Sequence, residues 1–375
     1  MRVATFLTKK YSKHDLLIAS CLFLIGLVTR IPFATRMIYH SDSVRFALAM
    51  KHYDVAQMRP HAPGYILYIA ISKLFDFFIH DARVSLVGVS ILSSALTLFF
   101  LYFLACEMYG RSNGTISTLA LLSSPLFWLN SVMPFTYALE GFFSLVFAYT
   151  CYRAITRQKN WLILSAIILG LATGVRQHII FLFLPLWIYT LTKCSPKQIL
   201  ISFLALSLTC LTWFMPMTIL SGGLKNYFSV VQTQFITFAG HPDRFLFQIK
   251  GRTIIFATFI VYSLGLGIIP MLYYCGCFFR IPVIVQDIKP KFLLLWIGPS
   301  LIFFILVLIY NSGHIVFILP PLFIILAESV KAIAEDLTDG VRLVFKNNLG
   351  TFFNFLKLMA SYRVILISLV VSLMF

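Results

Sequence analysis

Residues 161–192 read WLILSAIILGLATGVRQHIIFLFLPLWIYTLT, an apolar run broken only around Gly174, Arg176, Gln177 and His178. A helix that crosses a bilayer needs about 20 apolar residues, so this run is too long for one span. Polar backbone and side chains at membrane depth are tolerated where they line a cavity or lie at a surface. The run is therefore expected to form two short helices, 161–175 and 178–192, that meet at one membrane face.

The same pattern extends in both directions. Further apolar segments lie at about 15–31, 84–106, 115–131, 139–153, 198–220, 253–279, 292–311, 314–330 and 361–375. Of the 375 residues, 60% are hydrophobic, 16% aromatic and 11% charged, and the mean hydropathy is +0.91. A soluble domain carries about 25% charged residues, so a water-soluble core is excluded and lipid must cover this surface. The fold class expected is all-α, a polytopic bundle of about 10–11 spans forming a single membrane domain over 1–375.

The net charge of +17 comes from short basic clusters between apolar runs. That distribution fits the positive-inside rule and argues against nucleic acid as a partner. With Lys9, Lys10 and Lys13 in the cytoplasm, Arg111, Arg153, Arg157, Lys159, Lys193 and Lys197 also fall inside. The N-terminal run reads as a retained signal anchor. The stretch 65–79 holds Lys73 and Asp76 and follows Pro63-Gly64. Counting it as a full span would put Arg153, Arg157 and Lys159 outside, so it is expected to be interfacial or re-entrant. Two long outer segments result, 32–83 with short amphipathic helices and 221–252, together with an amphipathic cytoplasmic segment, 331–360. The seven cysteines read as small buried apolar residues.

The unusual polar residues gather on the expected outer face. Asp42 stands in His40-Ser41-Asp42-Ser43, and the same loop ends Arg59-Pro60-His61-Ala62-Pro63-Gly64-Tyr65. Glu140 lies at the start of a span, Arg176, Gln177 and His178 lie at the hinge, and His314 follows Asn311-Ser312-Gly313. Each also has a plainer reading: Asp42 as the cap of a helix from Ser43, Glu140 and Arg176 as a structural ion pair. Taken together, two acids, an arginine and histidines on one face suit an anionic lipid head group and a general base.

These pieces, in order over about 15–330, resemble the C-type glycosyltransferase superfamily, closest to its protein O-mannosyltransferase and aminoarabinose-transferase branch. They are the first-loop acid Asp42, His61-Ala62-Pro63-Gly64-Tyr65 like a His-Pro-Pro-x-Tyr stretch, the Gly110-Arg111 turn, the outer acid Glu140, and Gly313-His314 leading to Pro320-Pro321. The resemblance implies a polyprenyl-phosphate sugar as donor and inverting transfer to a hydroxyl on the non-cytoplasmic side. It assigns Asp42 as general base, Arg176 with Arg59 and His178 to the donor phosphate, and Glu140, His61, Tyr65 and His314 to acceptor or metal support. A bacterial inner membrane is the expected setting, with membrane lipids and the lipid-linked donor as partners and the acceptor open. No cofactor is certain; a divalent metal on this face stays open, although no ligand spacing compels one. Chain departures are the serine after Asp42 and Ala62 in place of the first proline. The competing readings are a lipid or lipid-linked sugar transporter and a non-catalytic assembly partner.

Overall fold

The computed structural model describes residues 11–239, 245–278, 286–307 and 311–344. Among them there is no strand, and the regular elements are all helices. The helices are α1 (Lys13–Val28), α2 (Ser41–Lys51), α3 (Ile66–Ile79), α4 (Ala82–Tyr109), α5 (Arg111–Ser123), α6 (Pro125–Ser131), α7 (Tyr137–Thr156) and α8 (Trp161–Val175). They continue as α9 (Ile179–Leu191), α10 (Pro196–Leu220), α11 (Leu224–Ala239), α12 (Phe245–Leu264), α13 (Ile268–Phe278), α14 (Ile288–Leu306), α15 (Gly313–Val316) and α16 (Leu319–Val344). Five stretches among the described residues are long and apolar enough to cross a membrane: Lys13–Phe33, Ala82–Tyr109, Pro196–Leu220, Ile249–Leu272 and Ile288–Leu306.

Local chemistry sets the helix ends. Ser12 and Asp15 close a reciprocal capping box on α1, and Asp81 caps α4 by accepting from Val84 N at 2.9 Å. Gly110, at φ +90°, turns α4 into α5. The single span expected over 115–131 is two helices, because Ser124 precedes Pro125 and a residue before proline is driven out of the helical region. The expected span 253–279 begins earlier, at Phe245, and is interrupted by a 3-10 turn at Gly265–Gly267. Most of the segment 221–252 is therefore helical. The segment expected at 314–330 is divided between α15 and α16, and α16 runs past 331 without a break to Val344. The remainder of 331–360, and the apolar run 361–375, lie outside the described residues.

Long-range contacts sort the helix ends onto two faces. On one, Asp15 and Arg111 pair at 2.7 Å, joining the starts of α1 and α5. The buried pair Glu107–Arg153 joins the ends of α4 and α7, and the guanidinium of Arg153 lies over the rings of Tyr149 and Trp161. On the other face, Arg83 Nη1 donates to Thr35 O at 2.9 Å, so α4 begins where α1 ends. Arg30, 1% exposed, donates to Leu122 O at the end of α5, a cation placed at a helix C-terminus. The segment 32–83 thus leaves and re-enters the bundle on one side, with α3 along it.

At the centre is α4. Its apolar window is 67% buried, against 11% for α10, which is largely free to meet lipid. Helices α8 and α10 approach closely at Gly170 and Gly174. A Cβ on Gly170 would lie 2.8 Å from Thr209, and one on Gly174 would lie 2.8 Å from Trp213. Trp213 Nε1 donates to Gly170 O at 2.8 Å across the same seam, the small-residue packing that membrane helices use.

Candidate active site

Helix α2 starts two residues earlier than the sequence suggested, and its cap is His40, whose side chain accepts from Asp42 N at 3.2 Å. Asp42 is therefore not the capping residue. Its carboxylate is left facing three basic groups: Arg45 Nη1 at 3.5 Å, His61 Nδ1 at 3.7 Å and His40 Nδ1 at 3.8 Å. All three distances exceed a hydrogen bond, and the Asp42 side chain is 27% exposed.

The loop 53–65 delivers His61. Asp54 and Arg59 exchange backbone hydrogen bonds at 2.7 and 2.8 Å, closing a small turn. Gly64 has φ +110°, and a Cβ there would fall 2.6 Å from the Tyr53 hydroxyl, so only glycine fits. Tyr65 follows with φ +46°, an uncommon value for an aromatic residue. This turn brings the Tyr65 hydroxyl to 2.9 Å from His61 Nε2 and its ring beneath the Arg176 guanidinium, 5.3 Å away. Burial pushes the His61 imidazole down to about 4, against a smaller upward pull from Asp42. His61 is thus neutral near pH 7, and the Asp42 carboxylate favours the tautomer with the proton on Nδ1.

Arg176 does not stand free. Its Nη1 lies 3.3 Å from both oxygens of Glu140, and both residues are buried, at 7% and 3% exposure. Thr136 Oγ1 donates to Glu140 Oε1, and Tyr137 covers the guanidinium from the other side at 5.2 Å. The Tyr137 ring meets the edge of His314 at 5.3 Å, and His314 Nδ1 is 3.1 Å from Asn311 O. Asp42, His61, Tyr65, Arg176, Glu140 and His314 therefore form one contiguous chain of contacts. His178 stacks on Phe303 at 5.0 Å beside it. Arg59 takes part through its backbone. Among the described residues, no three His, Cys, Asp or Glu side chains come together as a metal site.

Three neighbours and a cleft escaped the sequence reading. The i,i+3 spacing from Asp42 to Arg45 on one helix face was the available signal for Arg45. Tyr227 and Gln234 come from α11, far along the chain, and nothing local marks them. Nor does anything mark the cleft of about 420 Å³ between α8, α9 and α10, lined by Thr173, Gln177, Cys210, Leu211, Trp213 and Phe214. Gln177 joins the cleft to the loop by donating to Pro63 O at 3.0 Å.

The fold is shared with a solved protein, ArnT. Over 96% of its length the chain superposes on 73% of the crystal structure of ArnT from Cupriavidus metallidurans in the apo state, with a TM-score of 0.58 and 15% identity. It superposes equally, at 0.58 and 14% identity, on the same protein bound to undecaprenyl phosphate. Residues 46–200 match the family described as the protein O-mannosyl-transferase TMEM260 N-terminal domain. No curated protein matches the chain by sequence.

Proposed function

We propose that this protein transfers a sugar from a polyprenyl-phosphate donor to an acceptor hydroxyl, with inversion, on the face that carries Asp42. The observation that carries the reading is the difference between the two acids on that face. Glu140 is buried and held by Arg176 and Thr136, so it has no free oxygen to take a proton. Asp42 is partly exposed and held by no contact shorter than 3.5 Å. A hydroxyl is a poor nucleophile, and a positioned base contributes about 10²–10⁴-fold. Asp42 takes the hydroxyl proton as the oxygen attacks the anomeric carbon, and the carbon–oxygen bond to the lipid phosphate breaks. Neutral His61 and its bond to Tyr65 fix the wall of the site beside Asp42.

The leaving polyprenyl phosphate is an anion that needs a cation. Arg176 is already neutralised by Glu140, so the role expected of it passes to Arg45, 29% exposed beside Asp42, with Arg59 nearby in the loop. The apolar cleft beside Gln177 offers the prenyl chain a lipid-accessible seat next to the same loop. ArnT, the structural neighbour, has been seen with undecaprenyl phosphate bound, which supports the donor class. The test is transfer of labelled sugar from a panel of polyprenyl-phosphate sugars by the protein in membranes. Product with an inverted anomeric centre is expected; movement of intact donor across the bilayer without transfer would overturn the proposal in favour of a transporter.

A further inference from the structure

The loop that presents His61 is held from outside the bundle. Helix α11 lies across it, entered through Gly222 and Gly223, both in the left-handed region at φ +81° and +95°. Gln234 Oε1 accepts from Ala62 N at 2.8 Å, while its Nε2 approaches Val55 O at 3.5 Å. Tyr227 donates its hydroxyl to Pro63 O at 3.0 Å, the same carbonyl that receives Gln177. One side chain thus spans the loop from Val55 to Ala62, and a second pins the residue after it. The bond to Gln234 exists only because position 62 has an N–H. A proline there, as in the His-Pro-Pro stretch that this loop resembles, has no donor to offer.

We infer that Gln234 and Tyr227 are positioning residues that hold His61 against Asp42, with Gln234 adapted to Ala62. This rests on the transferase reading for its kinetic consequence, but not for its structural one. Hydrogen bonds from two side chains of one helix to consecutive loop residues fix both the height of the loop and its rotation. His61 Nδ1 is buried and finds no hydrogen-bond partner of its own. Its distance from Asp42 is therefore set by the backbone that carries it. Misplacement of a catalytic group's surroundings by about 1 Å costs on the order of 100-fold in rate.

The experiment uses the full chain in lipid nanodiscs with Gln234→Leu, Gln234→Glu, Tyr227→Phe and Ala62→Pro. Gln234→Glu keeps the acceptor for Ala62 N–H and serves as the conservative rescue. Hydrogen–deuterium exchange across 53–65 is read first, then transfer kinetics. Faster exchange in Gln234→Leu, largely restored in Gln234→Glu, is expected. A fall in kcat of about ten- to a hundredfold at nearly constant donor KM should accompany it. Gln234→Leu added to Ala62→Pro should cost little more, since both remove the short bond between Ala62 N and Gln234 and only the long contact to Val55 O is additional. Unchanged exchange in Gln234→Leu overturns the clamp. Faster exchange with full kcat overturns the positioning role. Altered exchange in a protein with no transfer at all, wild type included, refutes the transferase reading and leaves the clamp standing.

Discussion

Replacing Arg176 by methionine tests whether the buried ion pair is architecture or machinery. In the native protein Arg176 meets Glu140 at 3.3 Å, and both side chains are under 10% exposed. Removing the cation leaves a buried carboxylate with only the Thr136 hydroxyl. Loss of one partner of such a pair costs about 3–5 kcal/mol. The guanidinium also lies over Tyr65 and Tyr137, at 5.3 and 5.2 Å, and each cation–π contact adds about 0.5–2 kcal/mol. Glu140→Met strands the arginine in the same way. The double variant strands neither, and an apolar pair of similar volume is often close to neutral. The double-mutant cycle should thus show a coupling near the sum of the two single losses, about 6–10 kcal/mol, read from denaturant or thermal unfolding in nanodiscs. Wild-type stability in Arg176→Met, with loss of donor binding alone, would refute the reasoning and return Arg176 to the phosphate.

Three further outcomes follow from the geometry. His61 has a folded value near 4 against an ordinary value of 6.5, so below about pH 6.5 the unfolded chain binds a proton that the folded chain refuses. Its contribution is intact above that pH and is lost as pH falls toward 4; unfolding at pH 5 and pH 7 should show a steeper loss for wild type than for His61→Gln. Gly174→Ala places a Cβ 2.6–2.8 Å from Leu67 and Trp213, and overpacking of this kind costs about 1–3 kcal/mol, measurable as a lower midpoint of thermal unfolding. A lipid-soluble thiol reagent should label Cys210 in the cleft, and a long polyprenyl phosphate should slow that labelling more than a short-chain one; equal protection by both would remove the prenyl chain from the cleft.

Much of the framework was readable because it is local. Pro125, Gly110 and the Gly174–His178 interruption act on the residues beside them, and each marks a helix end. The splitting of 115–131 is masked by its continuous apolar composition, although Ser124-Pro125 is the local signal for it. Asp42 stands out by its residue type in the loop, but it is not the cap, because the helix already starts at Ser41 and His40 accepts from the Asp42 amide. The Glu140–Arg176 pair was foreseen as an alternative, while the depth of its burial was not, since that depends on Tyr65 and Tyr137 closing over it. Gln234 and Tyr227 were illegible for a simpler reason. Their partners lie more than 160 residues away, at separations of 172 and 164, and no periodicity carries that information.

The central claim is that Asp42, not Glu140, receives the acceptor proton. The most direct test compares wild type with Asp42→Asn for transfer from a polyprenyl-phosphate sugar, with donor binding and unfolding midpoint measured on the same preparations. The account predicts a fall in kcat of about 10²–10⁴-fold, with donor binding and stability close to wild type. Transfer at the wild-type rate in Asp42→Asn would contradict it and place the base elsewhere.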